Sequence, residues 1–390
     1  MIYLEILLAF LKLGGTSFGG PVAHLGYFRD EFVARRHWLE DAAYADLVAL
    51  CQFLPGPTSS QVAFALGRQR GGWLGACLAS AAFTLPSALL MILAGSGLAA
   101  PGGLAHAGWL HGLQIAAVAV VAQAVWNMGR NLCPDFPRLL IALAAATGLA
   151  GRQNALLQIV VIAGGAAAGW TLLQKQIPAT PNPVAAERQN HRVAGAILAV
   201  FFFLLVFLPG LAAATGSQAV AVFAGFYRAG ALVFGGGHVV LPLLRAEVVP
   251  TGWVDDPTFL AGYGLAQAVP GPLFTFAGYL GAVLTPRHAW LGGGGALLAI
   301  FLPGWLLIGG AQPFWQTLRK RIWAQAAMRG ANAAVVGVLL AALGQMIITT
   351  GMGYGREAVT AGAALVLLQG FKVPPWLVVM LAAAAGQWRG

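Results

Sequence analysis

Charged residues are scarce in this chain of 390 residues, where Asp, Glu, Lys and Arg together make up only 9%. A soluble domain carries about 25% charged residues, so a soluble fold of this size would lack the polar surface that it needs. Hydrophobic residues make up 59% of the chain, and lipid can solvate that surplus. Several apolar segments approach the roughly 20 residues that span a bilayer, whereas the alternation typical of membrane β-barrels is missing. The composition predicts an all-α polytopic membrane protein.

Cysteines and catalytic motifs are also few. The three cysteines follow no metal or redox spacing, and an odd number argues against a disulfide framework. The sequence contains no nucleophile–base set, metal cluster, cofactor fingerprint or phosphate loop. The net charge of +10 comes mainly from short connections, which is typical of the positive-inside bias rather than of nucleic-acid binding. We predict that the protein is not an enzyme and binds no cofactor; a membrane-embedded enzyme is the least favoured alternative.

The second half of the chain repeats the first. FGGPVAHLGYFRDEFV at 18–33 aligns with FGGGHVVLPLLRAEVV at 234–249, and QFLPGP at 52–57 aligns with QAVPGP at 267–272. Further matches follow in the same order, which indicates a duplication. The predicted organisation is a first membrane repeat at 1–173, a polar linker at 174–192, an unmatched connecting helix at 193–216 and a second membrane repeat at 217–390.

The number of spans depends on the Pro-Gly-Pro motifs. Six apolar segments in each half and one between them give about thirteen spans, and the single connecting helix then inverts the second repeat, as in many secondary transporters. Pro-Gly-Pro cannot continue a helix, so each repeat contains a helix broken at that motif. If both broken segments are re-entrant hairpins, the number falls to eleven and the two halves become parallel.

The two breaks are the strongest candidates for a binding site. A break frees backbone groups at membrane depth, which is tolerated only where protein or a water-filled cavity surrounds them. The half-helix after the break directs N–H groups and a positive dipole end at that cavity, which suits an anion. TSSQ follows the first break and LFTF the second, so the first is better equipped; a kink that serves packing is the alternative. The predicted ligands at the breaks are Gln52, Pro55, Gly56, Pro57, Thr58, Ser59, Ser60, Gln61, Gln267, Gly271 and Thr275.

Further candidates lie just after the first segment of each repeat. An arginine fork suits a tetrahedral oxyanion, although an ion-paired structural arginine is an equal alternative. The glycines there permit a tight turn or close contact with a ligand. These additional ligands are Gly19, Gly20, Arg29, Gly235, Gly236 and Arg245. Proton coupling is assigned to His24, Asp46 and His238, with a packed or hydrogen-bonded histidine as the favoured alternative.

The strings FGGPVAHLGYFRDEFV, WLEDAAYADLVALCQFLPGPTSSQVAFALG and FTLP resemble the chromate ion transporter family, and FGGGHVVLP and QAVPGP resemble its degenerate second copy. The resemblance covers nearly the whole chain and is that of a long two-domain member. It implies export of chromate through the bacterial cytoplasmic (inner) membrane, driven by the membrane potential or a proton gradient. It also implies about thirteen spans and two domains in opposite orientation.

Sulfate or another small anion, and a passive channel, stay as alternatives. The predicted partners are an oxyanion and the lipid bilayer, without nucleic acid, and a homodimer is left open. An inside-negative potential supplies roughly 2.3 kcal/mol per charge per 100 mV, so export of a dianion is electrically favourable. Import would need at least two co-transported cations. Acids suited to cation coupling are scarce in the apolar segments, so export is the simpler hypothesis.

Overall fold

The computed structural model describes residues 1–99, 108–151, 154–174, 191–350 and 355–388. These residues form α-helices with short 3-10 and π-helical stretches and contain no strand, as the composition predicts. The first half contains α1 (Ile2–Thr16), α2 (Gly20–Phe28), α3 (Asp41–Phe53), α4 (Thr58–Ala99), α5 (Gly108–Leu132), α6 (Phe136–Leu149) and α7 (Ala155–Leu172). The connecting helix is α8 (His191–Thr215). The second half contains α9 (Gln218–Ala231), α10 (Val240–Val248), α11 (Asp256–Ala268), α12 (Phe276–Leu284), α13 (Ala289–Ala311), α14 (Trp315–Leu318), α15 (Ile322–Thr349), α16 (Arg356–Gln369) and α17 (Pro375–Gln387).

Six helices are long and apolar enough to cross a membrane, counted over the described residues. They are formed by residues Thr58–Gly97, Gly108–Leu132, Ala155–Leu172, His191–Thr215, Pro286–Phe314 and Ile322–Thr349. Their outward faces carry large exposed apolar side chains, among them Phe202 and Val206 on α8. An apolar face on both the inside and the outside is stable only in lipid. The prediction of a multi-pass helical membrane protein is therefore confirmed, whereas the exact number of spans stays a prediction. Most of the predicted polar linker lies outside the described residues.

The chain begins with a helical hairpin. Its first arm is α1, which contains Glu5 near its start and leads to the FGG motif. Its second arm is α2 with the π-helical stretch Arg29–Arg35, which returns to the level of Glu5. There Arg36 Nη1 donates to the Glu5 carboxylate at 3.2 Å, and Trp38 Nε1 donates to it at 3.1 Å. The tip of this hairpin turns at Gly19, whose φ of +99° lies in the left-handed region that glycine adopts readily.

The second half makes the same hairpin from α9 and α10. In the first half the two arms are joined by Lys12, whose Nζ lies 3.5 Å from Glu31 Oε2. At the equivalent positions of the second half, Arg228 Nε donates to Glu247 Oε1 at 2.8 Å. The repeated ion pair shows that both copies fold their first segment back on itself.

Each Pro-Gly-Pro motif forms the tip of another hairpin. Asp46 in α3 pairs with Arg319, and Arg68 in α4 donates to the Gly309 carbonyl at 2.9 Å. Gly309 lies near the end of α13, and Arg319 follows that end. The start of α3 and the Arg68 end of the second arm therefore lie at the same level, on the side of the hairpin away from the break. The backbone at Gly72 (φ +61°) then reverses α4, dividing it into α4a (58–70) and α4b (73–99). In the second half α11 and α12 are the arms, and α13 follows the reversal.

The equivalent helices α4b and α13 lie side by side and run antiparallel. Trp73 at the start of α4b packs against Gly309 near the end of α13. Ile92 near the end of α4b packs against Gly293 near the start of α13. The neighbouring helix α8 starts beside Gly310 and packs along both α9 and α13.

The closest helix crossings join one half to the other at equivalent glycines. A Cβ on Gly112 of α5 would lie 2.0 Å from the carbonyl oxygen of Ala382 on α17. A Cβ on Gly330 of α15 would lie 2.1 Å from the carbonyl oxygen of Gly165 on α7. Such small residues let helix backbones approach closely in a membrane. The two repeats are therefore interleaved rather than packed as separate bodies.

This crossing predicts the effect of one methyl group. Gly330→Ala should lower the thermal unfolding temperature in detergent, because the added Cβ meets backbone atoms of α7 that cannot rotate away. The matched control is Gly344→Ala on the same helix, where a Cβ meets nothing within 4 Å. Since alanine favours helix over glycine by about 1 kcal/mol, the control should leave the unfolding temperature unchanged or raise it. Equal unfolding temperatures for the two variants would contradict the close crossing.

Candidate functional site

The two Pro-Gly-Pro breaks are each closed by the opposite half of the chain. The N–H of Gly56 donates to the carbonyl oxygen of Val233 at 2.7 Å. The N–H of Gly271 donates to the carbonyl oxygen of Ser17 at 2.8 Å. Val233 and Ser17 occupy equivalent positions before the two FGG motifs, so the two hydrogen bonds are equivalent under the duplication. The hairpin tips of both halves thus meet at one crossing.

The second break is surrounded by polar side chains from the first half. Gly271 packs against Ser87 on α4b and against the end of α1, and Thr84 lies one turn before Ser87. The hydroxyls of Ser17 and Thr84 are buried and have no hydrogen-bond partner among the described residues. We call Ser17, His24, Thr84, Ser87 and Gly271 the second-break cluster. These residues form a buried group in which the Ser17 and Thr84 hydroxyls are still able to bind a ligand.

His24 belongs to this cluster because it binds the same carbonyl group as Gly271. Its Nε2 lies 3.2 Å from the Ser17 carbonyl oxygen, which only accepts, so Nε2 carries the hydrogen. The ring is fully buried and stands edge-on to Phe83, with the ring centroids 5.4 Å apart. Its Nδ1 has no partner among the described residues. The histidine therefore has a buried ring nitrogen that can accept a hydrogen bond or a proton.

The first break has polar residues of its own, and all of Ser59, Ser60 and Gln61 are buried. Gln61 Nε2 donates to the Pro55 carbonyl at 2.9 Å and approaches the Gly304 carbonyl at 3.4 Å. The Gln61 amide thus holds the backbone of the break together. Its Oε1 and the Ser60 hydroxyl have no partner among the described residues.

The second half faces the first break with apolar residues. Gly304 packs against Pro57 at the position equivalent to Ser87. Phe301 stands at the position equivalent to Thr84, and its ring stacks with Trp305 at a centroid distance of 5.8 Å. The first half therefore supplies polar side chains to both breaks: from α4a at the first break, and from the end of α1, from α2 and from α4b at the second.

The two candidate arginines are held away from the breaks. Arg29 Nε donates to Asp41 Oδ1 at 2.7 Å, and Arg245 Nε donates to Asp256 Oδ1 at 2.7 Å. Both carboxylates begin a helix of 13 residues, which places them about 20 Å from the break that follows. The hydrogen bonds from Arg29 hold the pKa of the exposed Asp41 carboxyl below its usual range. A direct role for these arginines at the breaks stays a prediction that the geometry does not favour.

The candidate acid and the second histidine have partners of their own. Asp46 pairs with Arg319 and accepts from Trp315 Nε1 at 3.2 Å, at the open end of its hairpin. His238 Nδ1 lies 2.9 Å from the Tyr263 hydroxyl in the second half. His238 follows Gly237, which lies near Leu273 just after the second break, but its Nδ1 is engaged with Tyr263.

The remaining candidates serve the backbone or face outward. Gln52 is exposed, whereas Gln267 is half-buried and its Nε2 has no partner among the described residues. Thr275 Oγ1 donates to the Pro272 carbonyl at 2.8 Å, which closes the turn after the second break. Gly20, Gly235 and Gly236 adopt positive φ values of +76°, +74° and +144° at the FGG turns. The predicted turn at these glycines is present.

Sequence reasoning missed Ser17, Thr84, Ser87 and the ion-paired Arg228. The signal for Thr84 and Ser87 was a pair of polar residues inside an otherwise apolar segment, on either side of Leu85–Pro86. Arg228 occupies the position equivalent to Lys12, so the repeat itself could have identified it.

Interleaved helical repeats with broken helices define a duplicated, multi-pass membrane protein of the transporter class. The family model described as Chromate transporter matches residues 4–170 and 220–387, and the chain belongs to this family. The resemblance stated from the sequence motifs is thereby confirmed. Because this is a family of transporters, the prediction that the chain is not an enzyme is confirmed as well.

Curated relatives are similar over most of their length. The chain is 28% identical to the probable chromate transport protein of Synechococcus elongatus over 389 residues, covering 97% of this chain and 93% of the relative. It is 28% identical to the chromate transport protein of Pseudomonas aeruginosa over 417 residues, covering 99% and 92%. It is 29% identical to that of Cupriavidus metallidurans over 353 residues, covering 87% and 81%. No solved structure matches the chain.

The equivalent arginines predict unequal losses of stability. Arg245 is buried with a side chain 3% exposed, so Arg245→Gln leaves Asp256 without its partner and should cost about 3–5 kcal/mol. Arg29 and Asp41 are both more than half exposed, so the matched change Arg29→Gln should have little effect on unfolding. Thermal unfolding of both variants in one detergent measures the difference. A larger loss for Arg29→Gln would contradict the assigned burial.

Proposed function

We propose that this protein exports chromate, or a closely similar tetrahedral oxyanion, across the bacterial cytoplasmic membrane. The ion binds at the second-break cluster. The observation that carries this proposal is the set of buried, unpaired polar atoms on Ser17, His24 and Thr84 beside a broken helix. Membership of the chromate transporter family and the names of the relatives support chromate as the substrate.

The electrostatics of the cluster favour an anion. The chain after Gly271 enters the 3-10 turn Leu273–Thr275 and then α12, so the positive end of this helical segment faces the cluster. The buried carboxylates among the described residues are Glu31 and Glu247, and both are engaged in ion pairs. The cluster therefore lacks a negative charge that would repel an oxyanion. The unpaired Ser17 and Thr84 hydroxyls can donate to the oxygens of the ion, and the Ser87 hydroxyl can do so by turning from the Thr84 carbonyl, to which it donates at 3.1 Å.

The proposed topology has an inverted second repeat, with two re-entrant hairpins and four crossings in each half. The re-entrant hairpins are supported by the two arms of α1–α2, and of α3–α4a, which begin and end at the same level. The inversion is supported by the equivalent helices α4b and α13, which run antiparallel. With α8 as an additional crossing the total is nine. This is fewer than the thirteen or eleven expected from the apolar segments, because the first segment of each half also turns back. The four crossings of the first half and α8 make an odd number, so the second repeat begins on the opposite side of the membrane and is inverted.

The inverted arrangement gives the transporter two alternative openings. The hairpins of the two halves open towards opposite faces, and their tips meet at the crossing where the breaks are bonded. Rocking of one set of hairpins against the other exposes a central site to each side in turn. The membrane potential, which supplies roughly 2.3 kcal/mol per charge per 100 mV, drives a dianion outward. His24 is the group at the site that can carry a coupled proton.

Transport assays test the assigned site. In everted vesicles with an imposed potential, Thr84→Val should reduce the initial rate of labelled chromate uptake at least tenfold, because it removes an unpaired buried hydroxyl. Ser87→Ala should also reduce the rate, because it removes a hydroxyl that leaves the Thr84 carbonyl, 3.1 Å away, to bind the ion. Ser96→Ala on the same helix is the matched control: its hydroxyl also donates to a carbonyl of its own helix, that of Ile92 at 2.8 Å, but Ser87 and not Ser96 packs against Gly271.

The wild type must show saturable, potential-dependent uptake, and unlabelled sulfate as competitor reports the preference between the two ions. Full activity in both Thr84→Val and Ser87→Ala would remove the second-break cluster as the site. Wild-type vesicles without such uptake would contradict chromate export itself. A rate that depends on the pH gradient in the wild type and loses this dependence in His24→Gln would support proton coupling.

Cysteine labelling tests the inverted topology. Glu40 and Asp255 are exposed residues directly before the equivalent helices α3 and α11. With Cys51, Cys77 and Cys133 replaced by alanine, Glu40→Cys and Asp255→Cys should react with a membrane-impermeant maleimide from opposite sides of the membrane. Intact cells and everted vesicles separate the two cases. Reaction of both cysteines from the same side would contradict the inversion.

A further inference from the structure

A pocket between the two halves lies apart from both breaks. It is formed by the end of α6 and by α7 of the first half, and by α10 and α15 of the second half. Its cavity volume is about 20 Å³, so only a small ligand can enter it. Most of its lining is apolar, and the polar residues in it are Gln158, Arg245 and Gln345.

Arg245 brings free hydrogen-bond donors to this pocket. Its Nε and Nη2 atoms donate to the carboxylate of Asp256, which balances the positive charge. Its Nη1 atom is buried and has no partner among the described residues. An arginine Nη1 carries two N–H donors, and leaving them buried and unpaired costs free energy. A ligand with an anionic oxygen would satisfy them.

Gln158 brings a free acceptor to the same pocket. Its Nε2 donates to the carbonyl oxygen of Pro242 at 3.2 Å, and because that carbonyl only accepts, the orientation of the amide is fixed. The Oε1 atom is therefore the unpaired one, and it is buried. A ligand that satisfies Oε1 must carry a hydroxyl or another donor.

The position related to this pocket by the duplication lacks this combination. Its equivalent ion pair, Arg29 with Asp41, is more than half exposed. The residue equivalent to Gln158 is Pro375, which has no polar side chain. The pocket between the two repeats is therefore not a necessary consequence of the shared fold.

We propose that this pocket binds a small tetrahedral oxyanion that carries one hydroxyl. Arg245 Nη1 donates to an anionic oxygen of the ligand, and Gln158 Oε1 accepts from its hydroxyl. A free hydrogen phosphate or the phosphomonoester headgroup of a lipid presents this chemistry. The site is distinct from the second-break cluster, since Asp256 holds Arg245 at the far end of α11 from Gly271. The inference therefore does not depend on the proposed function.

Equilibrium dialysis of the purified full chain in detergent tests the pocket, with labelled phosphate as the probe and sulfate as its matched analogue. At a pH where phosphate keeps a hydroxyl and sulfate has none, phosphate should bind at least tenfold more tightly. A site built to hydrogen-bond a hydroxyl rejects an analogue without it. Gln158→Leu should reduce phosphate affinity to that of sulfate.

A pocket-filling variant keeps the test independent of the ion pair. Ala341 lines the pocket and is half-buried, so Ala341→Phe should abolish phosphate binding with the Arg245–Asp256 pair intact. The control is Ile348→Phe, on an exposed position of the same helix, which should bind phosphate normally. Ser87→Ala should also bind phosphate normally, which separates this pocket from the proposed transport site.

Native mass spectrometry distinguishes the two sources of the ligand. A co-purifying phosphatidic acid that is lost in Ala341→Phe and retained in Ile348→Phe would assign the pocket to a lipid headgroup. Phosphate binding that is lost in the same variant without such a lipid would assign it to the free ion. Phosphate and phosphatidic acid that both fail to bind the wild type, or that bind Ala341→Phe equally well, would overturn the proposal.

Discussion

Backbone N–H groups freed at membrane depth must find partners in the protein, and the two Pro-Gly-Pro breaks meet this requirement across the duplication. Gly56 bonds to Val233 and Gly271 bonds to Ser17, so each half supplies the carbonyl that the other half needs. Neither copy can close its own break in this way. This exchange requires the hairpins of the two halves to meet, and it agrees with the close helix crossings that join one half to the other.

The two breaks have equivalent backbone hydrogen bonds but are surrounded by different side chains. The opposite half contributes Gly304 and Phe301 to the first break, whereas it contributes Ser87 and Thr84 to the second. A duplicated fold tolerates such differences, because the backbone hydrogen bonds do not depend on these side chains, and we propose that the ion binds at the second break. The proposed pocket at Arg245 is a second difference of this kind.

The class, the duplication and the breaks could be predicted because they are local or repeated signals. Apolar segments, FGG and PGP each have a direct physical meaning without knowledge of the fold. The return of α1 through α2 could not be predicted, because an apolar helix of 15 residues resembles a span, and what folds it back is the distant contact of Glu5 with Arg36. The role of Ser17 was equally hidden, because its carbonyl gains meaning only from Gly271, which lies in the other repeat.

The same limit applies to charged residues. Arg29 and Arg245 suit an oxyanion by their chemistry, but the carboxylates that engage them begin the following helices and could be identified only in the structure. Asp46 likewise faces Arg319 from the far end of the chain. Sequence spacing predicts which groups can bind an anion, whereas tertiary contacts decide which of them are still free to do so.

Localisation of bound chromate tests the central claim most directly. In a cryo-electron microscopy structure of the protein with chromate, the account predicts the ion beside Gly271, within about 3 Å of the Ser87 or Thr84 hydroxyl. The Ser17 carbonyl should still accept the Gly271 N–H in at least one state. An ion bound instead between Ser60 and Gln61 at the first break, or breaks that are closed within their own halves, would contradict it.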